Sequence, residues 1–369
     1  MTKVIIVGGG IIGLLTAREL LAAGCQVQLI DKQAPGNEAS WAGGGIVSPL
    51  YPWNYDDAIS DLVRRAQAYY PQLCESLYQE TGIDPEFDAC GLFMLDSNEH
   101  AVALNWAQRT GAPLFTAPIA KVYQQIPGLR SGFTKALNMP QVGNVRNPRL
   151  LKALLASLML NQHFDLVAGE AVTGLLTDHD VVVGTETQQQ AYRADKVMIA
   201  AGAWTPLLTG AYGMPLKIAP VRGEMLVFEP KPGLLPSITL FDGKYLIPRK
   251  DGRIIVGSTT EQVGYCKDTT EKGRSILLAA AYGMLPGLRE LRVEKHWAGL
   301  RPGSPAGLPY MGKAPDLRGL YVCAGHYRNG LVTAPASARL MADLILDRPS
   351  EINAEPFRLD RQTVATEMF

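Results

Sequence analysis

Apolar residues fill positions 4–7 and stop at three glycines, Gly8, Gly9 and Gly10; beyond Gly13 they recur with the spacing of an amphipathic helix until about Gly24. A second apolar strand follows over 26–30 and closes on Asp31. Helical spacing returns over 56–81, through Ile59, Leu62, Val63, Ala66, Tyr69, Leu73 and Leu77, with Gly82 as the stop. Pro71 inside that stretch predicts a kink or two shorter helices. A strand over 90–95, a helix over 99–109 and a Gly- and Pro-rich connection over 117–145 then break the strand–helix alternation, which marks an inserted second unit. Alternation resumes with an apolar helix over 149–160, strands over 170–176 and 181–184, and a buried strand over 196–201 ending at Gly202.

The second unit returns near Met214. A strand over 224–228 precedes a hairpin, 244–249 and 253–259, turned on Asp251-Gly252, a two-residue turn signal. That register opposes Arg249 to Ile254, Ile247 to Val256 and Tyr245 to Ser258, sets Gly243 across from Thr260, and puts Tyr245 and Thr260 on one face. A strand over 294–301 places Trp297 and Arg301 on one face and ends at Pro302-Gly303. The last segment, 319–346, repeats the opening order: strand over 320–324, glycine-bearing loop over 325–330, helix from about Leu331. The whole predicts an α/β chain in which a Rossmann-like unit (1–85, 146–213 and 315–369) is interleaved with a mixed or antiparallel-sheet α+β unit (86–145 and 214–314).

The opening strand, glycines, helix, strand and acid occur in the order a dinucleotide site requires. Gly8 allows the tight turn, Gly10 lets the backbone approach a pyrophosphate, and Gly13 lets the helix pack close to the sheet. The helix that follows turns its first N–H groups and positive dipole end toward phosphates. Asp31 stands where a carboxylate accepts from an adenosine ribose and repels a 2′-phosphate, which disfavours NADP. Over 40–48, Gly43, Gly44 and Gly45 allow close approach to a planar ligand, with a flexible loop as the alternative. Tyr51, Trp53 and Tyr55 fit an entrance or a packing anchor equally. Val172 either reaches adenine through its backbone or is a plain sheet residue. The helix start after 325–330 is a second place for electron-rich ligand atoms, far from the first in sequence.

Composition narrows the class. The chain has 369 residues, 47% hydrophobic and 19% charged, as an ordered protein of one large or two interlocked domains does. Lys plus Arg and Asp plus Glu both number 35, against a basic nucleic-acid surface. Cys25, Cys74, Cys90, Cys266 and Cys323 are scattered without CxxC spacing, so free thiols are expected rather than a disulfide framework or a metal site. No apolar run is long enough to span a bilayer, and the interrupted N-terminal segment fits a nucleotide fold better than a signal peptide; a cytoplasmic protein is expected, with a homo-oligomer left open.

The opening fingerprint, 40–49 (SWAGGGIVSP), 245–259 (YLIPRKDGRIIVGST), 297–303 (WAGLRPG) and 325–330 (GHYRNG) together resemble the glycine oxidases of thiamine biosynthesis, within the D-amino-acid-oxidase superfamily. The resemblance runs from the first strand to the last helix. It implies noncovalent FAD in the split Rossmann-like domain and oxidation of glycine, sarcosine or small D-amino acids by hydride transfer to flavin. With O2 as acceptor the products are glyoxylate or another 2-oxo acid, ammonia or an amine, and peroxide. The residue matching the family's carboxylate-binding arginine is Arg301, supported by Tyr245, with Arg328 also at the active site. The implied cofactor set is Gly8, Gly10, Ile11, Ile12, Gly13, Asp31, Lys32 and Ser40, then Gly43, Gly44, Gly45 and Ile46, then Val172, Ala201 and Gly202. It closes with Arg301, His326, Tyr327, Arg328, Asn329, Gly330, Leu331 and Val332.

The residue types suit those roles: a guanidinium matches a carboxylate two-pronged, and a phenol adds a hydrogen bond without charge. On residues alone, Arg301 is equally a structural ion-pair partner, Tyr245 a packing residue and Arg328 a cap for carbonyls. His326 and His296 are candidate bases by type, yet this reaction class needs none. Positions that hold methionine in some family members carry Ile46 and Thr260, and Gly243 replaces a larger residue, which opens the pocket to more than glycine. Related sarcosine oxidases attach flavin through a cysteine in the segment matching 304–313, which has none here. A D-amino-acid dehydrogenase passing electrons to a quinone, and a catalytically silent FAD-binding module, are the alternatives.

Overall fold

The computed structural model describes residues 1–361 and is organised on three β-sheets. Strand β1 (Lys3–Val7), helix α1 (Ile11–Ala22) and strand β2 (Gln26–Asp31) form the opening unit as the pattern predicts. Helix α1 is not amphipathic: Ile11, Leu14, Leu15, Thr16, Ala17 and Leu20 are buried all around it. Gly13 explains how close it comes to the sheet, since a Cβ there would lie 2.0 Å from the Gly8 carbonyl oxygen.

A short turn of helix, α2 (Ala39–Ala42), leads to α3 (Asp57–Thr81), capped by the Asp56 carboxylate on the Ala58 N–H. Helix α3 runs as one helix through Pro71, so of the two expectations that of two shorter helices does not hold. Pro71 lies on the exposed side, so its ring meets water and the helix forgoes one backbone hydrogen bond there. Its inner face uses Tyr70 rather than Tyr69; the Tyr70 hydroxyl donates to the Leu331 carbonyl at 2.5 Å.

Next come β3 (Leu92–Leu95), α4 (His100–Thr110), β4 (Phe115–Ala117), α5 (Ile119–Gln125) and β5 (Ala136–Met139). The supposed connection over 117–145 therefore holds a helix and a strand whose apolar runs are too short to register as periods. Then follow α6 (Asn147–Met159), β6 (Phe164–Ala168), β7 (Val172–Asp178), β8 (Val181–Thr187), β9 (Ala191–Arg193) and β10 (Lys196–Ile199). Helix α7 (Thr205–Thr209) precedes β11 (Ala219–Phe228), β12 (Ile238–Phe241), β13 (Lys244–Pro248) and β14 (Ile254–Gly257). The chain ends through α8 (Glu271–Met284), β15 (Val293–Gly303), β16 (Tyr310–Lys313), β17 (Leu320–Ala324) and α9 (Gly330–Ile345).

One sheet has the order β16-β17-β10-β1-β2-β6, parallel except for β16, with α1, α3, α6 and α9 packed on one face. Its other face meets the three-stranded sheet β7-β8-β9 through Leu175, Val182 and Tyr192. The larger sheet runs β15-β11-β14-β13-β12-β3-β5-β4, with Leu277, Ala281 and Met284 of α8 in the core on one side. We propose the two domains 1–85, 146–213, 315–369 and 86–145, 214–314 on this division of strands. One boundary moves: β16 pairs antiparallel with β17 and so goes with the first domain.

The hairpin register differs from expectation by one residue. Tyr245 faces Gly257 and Ile247 faces Ile255, while Arg249 N–H donates to the Arg253 carbonyl, so the loop is three residues, 250–252. Gly252 takes φ +87°, the left-handed position that such a loop requires and Asp251 would resist. Gly243 therefore does not oppose Thr260, which lies beyond the end of β14. Strand β15 continues through Pro302 to Gly303 because it is a sheet edge, where the missing N–H costs nothing.

Candidate active site

A cavity of about 540 Å³ opens between the carboxyl ends of β1, β2, β10 and β17 and the face of the larger sheet carrying Tyr245 and Met225. This is the crevice position ligands take on a parallel sheet. Gly8, Gly10, Ile11, Ile12, Asp31, Lys32, Ser40, Val172, Ala201 and Gly202 line one end. Gly43 to Ile46, Tyr245, Arg301 and the run from His326 to Leu331 line the other. Gly13 and Val332 do not reach it. Gly13 acts through helix packing, and Val332, in the first turn of α9, is buried in the core.

At the first end the carboxylates are already engaged. Asp31 accepts the Gly9 N–H at 2.7 Å on one oxygen and the Gln33 N–H at 3.0 Å on the other, and burial raises its pKa. Asp31 thus shapes the glycine turn itself. Ser40 Oγ accepts the Ile11 N–H at 2.9 Å, joining the glycine-rich loop to the start of α1. Lys32 lies 3.4 Å from the centroid of the Trp204 ring and pairs with Glu38 at 3.3 Å.

At the second end Arg301 is clamped from three sides. Its Nη2 donates to Ser258 Oγ at 2.6 Å and its Nη1 to the Thr259 carbonyl at 3.2 Å. On β11, Gly223 leaves the guanidinium its space: a Cβ there would lie 2.2 Å from Nη1. Burial pushes the Arg301 pKa down, the Tyr245 phenol draws it up, and Arg328 lowers it again. Tyr245 is buried, with its ring over Gly257, where a Cβ would come within 2.5 Å. Arg328 is exposed at the mouth and donates to Thr260 Oγ1 at 3.0 Å rather than to a carbonyl of any described residue.

The histidines take other work. His326 is buried, 3.1 Å from Ser337 Oγ, and burial pushes its pKa down to about 3, so it stays neutral as a cavity wall. His296 lies on the face of β15 opposite Arg301, 2.7 Å from the buried Glu224 carboxylate, and does not line the cavity. Cys323 is a buried strand residue that also reaches the cavity wall.

Sequence reasoning missed Ser258, Asn147 and Arg249. Buried Arg249 donates to the Gly44 and Val145 carbonyls, each at 2.8 Å, and so fixes the glycine-rich loop. Burial lowers its pKa to about 10. Asn147 donates to the Ser40 carbonyl at 2.7 Å, while its buried Oδ1 has no partner among the described residues. A polar chain of that kind in a cavity wall fits a ligand carrying hydroxyls or ring N–H groups.

A cavity running from one helix start to another, walled by glycines and holding an unmatched acceptor, defines a dinucleotide-type cofactor site. The chain belongs to the DAO family of FAD-dependent oxidoreductases, whose family model matches residues 3–344. It is similar to the glycine oxidase of Pseudomonas aeruginosa, 47% identical over 96% of this chain and 98% of that one. The bifunctional protein ThiO/ThiG of Trichormus variabilis is 31% identical over 100% of this chain and 57% of its own length. The solved glycine oxidase of Geobacillus kaustophilus superposes with a TM-score of 0.92 at 29% identity, covering 98% of this chain and 100% of that one. No helix among the described residues is long and apolar enough to cross a membrane.

Proposed function

We propose that the protein oxidises glycine, and with it sarcosine and small D-amino acids, using dioxygen as the final acceptor. Glycine, oxygen and water give glyoxylate, ammonia and hydrogen peroxide. The observation that carries this reading is Arg301 held between Ser258, the Thr259 carbonyl and Tyr245 in the cavity wall, a preorganised carboxylate receptor. The names of the Pseudomonas aeruginosa and Geobacillus kaustophilus relatives support it.

Bound FAD supplies the two-electron acceptor for the α C–H bond. The residues proposed to hold it are those of the glycine turn, Asp31, Ser40, the 43–46 loop, Asn147 and the start of α9. Arg301 and Tyr245 grip the substrate carboxylate and thereby aim the α-carbon. His326, neutral and engaged with Ser337, takes no proton, which suits a substrate amine that enters already neutral. Five unpaired cysteines suit a cytoplasmic enzyme. The fused ThiO/ThiG relative suits delivery of the imine product to thiamine thiazole synthesis.

Anaerobic addition of glycine to the yellow protein is expected to bleach its flavin spectrum, and admission of air to restore it with peroxide release. A flavin that glycine leaves oxidised overturns the reading. Reduction without oxygen uptake, relieved by a quinone, moves it to the dehydrogenase alternative.

A further inference from the structure

The substrate end of the cavity carries more positive charge than one amino-acid carboxylate neutralises. The guanidinium groups of Arg301 and Arg328 line that end. The acids in the cavity wall among the described residues are Asp31 and Glu38, both at the adenosine end. Both are occupied, Asp31 by two N–H groups and Glu38 by Lys32 and Lys267. Arg328 donates to the neutral Thr260 hydroxyl, and its guanidinium carbon lies 5.1 Å from the Tyr327 ring centroid; no carboxylate among the described residues is within ion-pair distance. Tyr51 and Tyr55, which share its field, are phenols whose pKa is raised, so they add no negative charge at neutral pH. Asp242, the acid nearest Tyr245 in sequence, stands exposed in the turn between β12 and β13, outside the cavity wall.

There is also room. Gly243, exposed at the cavity wall next to Tyr245, has open space around it: apart from its chain neighbours, a methyl group added there would meet no atom within 4 Å. A substrate group larger than hydrogen therefore has space beside the cations.

We propose that the enzyme takes amines bearing a second carboxylate. The first carboxylate is held by Arg301 and Tyr245 and the second by Arg328, with Thr260 orienting that guanidinium. The second carboxylate sits either on the side chain, as in D-aspartate, or on the nitrogen substituent, as in iminodiacetate. This rests on the oxidase reading above and narrows its substrate class. The chemistry is unchanged: the α C–H bond breaks, its hydride goes to FAD and both electrons then to dioxygen, giving peroxide. Water adds to the imine and the C–N bond is cleaved, so iminodiacetate gives glyoxylate and glycine, and D-aspartate gives oxaloacetate and ammonia.

The test compares kcat/KM on the FAD-loaded enzyme for charged and neutral pairs, D-aspartate with D-asparagine and iminodiacetate with sarcosine, at low and high salt. The acidic member of at least one pair is expected to be favoured by about fivefold or more, the advantage shrinking with salt. The pair that responds tells which branch carries the second carboxylate. Arg328→Met is expected to bring that ratio to about one. Binding gives a second readout: malonate is expected to perturb the flavin spectrum at lower concentration than acetate, and this holds whether or not the variant folds. Neutral members favoured in both pairs, or acetate binding as tightly as malonate, overturns the proposal while glycine still bleaches the flavin. Failure of glycine to bleach it sinks the oxidase reading instead.

Discussion

The two ends of the cavity are built from different material. At the adenosine end the fit comes from main chain: a glycine turn, the start of α1 bonded to Ser40, and Asp31 already bonded to two backbone N–H groups. At the substrate end it comes from side chains on strands β13 and β15 and at the start of α9, cationic and held by hydroxyls and carbonyls. A site made of backbone tolerates no added atoms, whereas a site made of side chains tolerates changes that keep the charge and the hydrogen bonds. Mutation should therefore separate the two ends by what is lost, cofactor at one and substrate affinity at the other.

The largest effect is expected from Gly13→Ala. Its methyl would lie 2.0 Å from the Gly8 carbonyl oxygen, so α1 must leave the sheet or the glycine turn must move. Either costs more than about 3 kcal/mol and distorts the cofactor's first contacts. The purified variant should have lost most of its flavin absorbance and its urea midpoint should fall; full flavin content would show that this end is as adaptable as the other. Arg301→Ala is expected next. The flavin stays, and KM for glycine rises on the order of 100-fold, since a buried guanidinium–carboxylate contact disappears. A KM near that of the unmutated enzyme removes Arg301 from substrate binding.

The same contrast explains what the sequence disclosed. The adenosine end was legible because its strand, glycines, helix and acid are neighbours along the chain, each fixed by local geometry. The hairpin was legible as a hairpin but misread by one residue: Asp251-Gly252 signals a two-residue turn, and only the left-handed Gly252 inside a three-residue loop resolves the register. Ser258, Asn147 and Arg249 gave no signal. Their partners lie 43 residues away at Arg301, 107 at Ser40 and 205 at Gly44, distances that only the packed sheets close. Arg301, Tyr245 and Arg328 were visible through family resemblance, and residue type alone left each with a structural alternative.

His326 joins the two ends in a different way, through stability. Burial holds its pKa at about 3, below the ordinary 6.5, so the folded state keeps it neutral while the unfolded chain protonates it. Its contribution is therefore intact above pH 6.5 and is lost as pH falls from there toward 3. From pH 6.5 to pH 5 this amounts to about 2 kcal/mol. Denaturant unfolding of the flavin-loaded protein at the two pH values should show that slope, and His326→Asn should flatten it by this amount. Equal slopes in both proteins would mean that the imidazole is protonated where it lies.

The smallest effect tests the clamp. Ser258 Oγ accepts from Arg301 Nη2 at 2.6 Å, while the Thr259 carbonyl and the space over Gly223 hold the other side of the guanidinium. Ser258→Ala leaves the cation in place but frees one edge to turn away from the substrate. A hydrogen bond to a charged group is worth roughly 1.5 kcal/mol, so KM for glycine should rise roughly tenfold with kcat nearly unchanged. Ser258→Thr, which restores an acceptor, should recover most of the loss, and acetate binding read from the flavin spectrum should follow KM. An effect on kcat alone would place Ser258 in the chemistry rather than in aiming Arg301. Unaltered KM in the alanine variant would mean that the carbonyl and the glycine gap suffice, making this end, too, a product of its backbone.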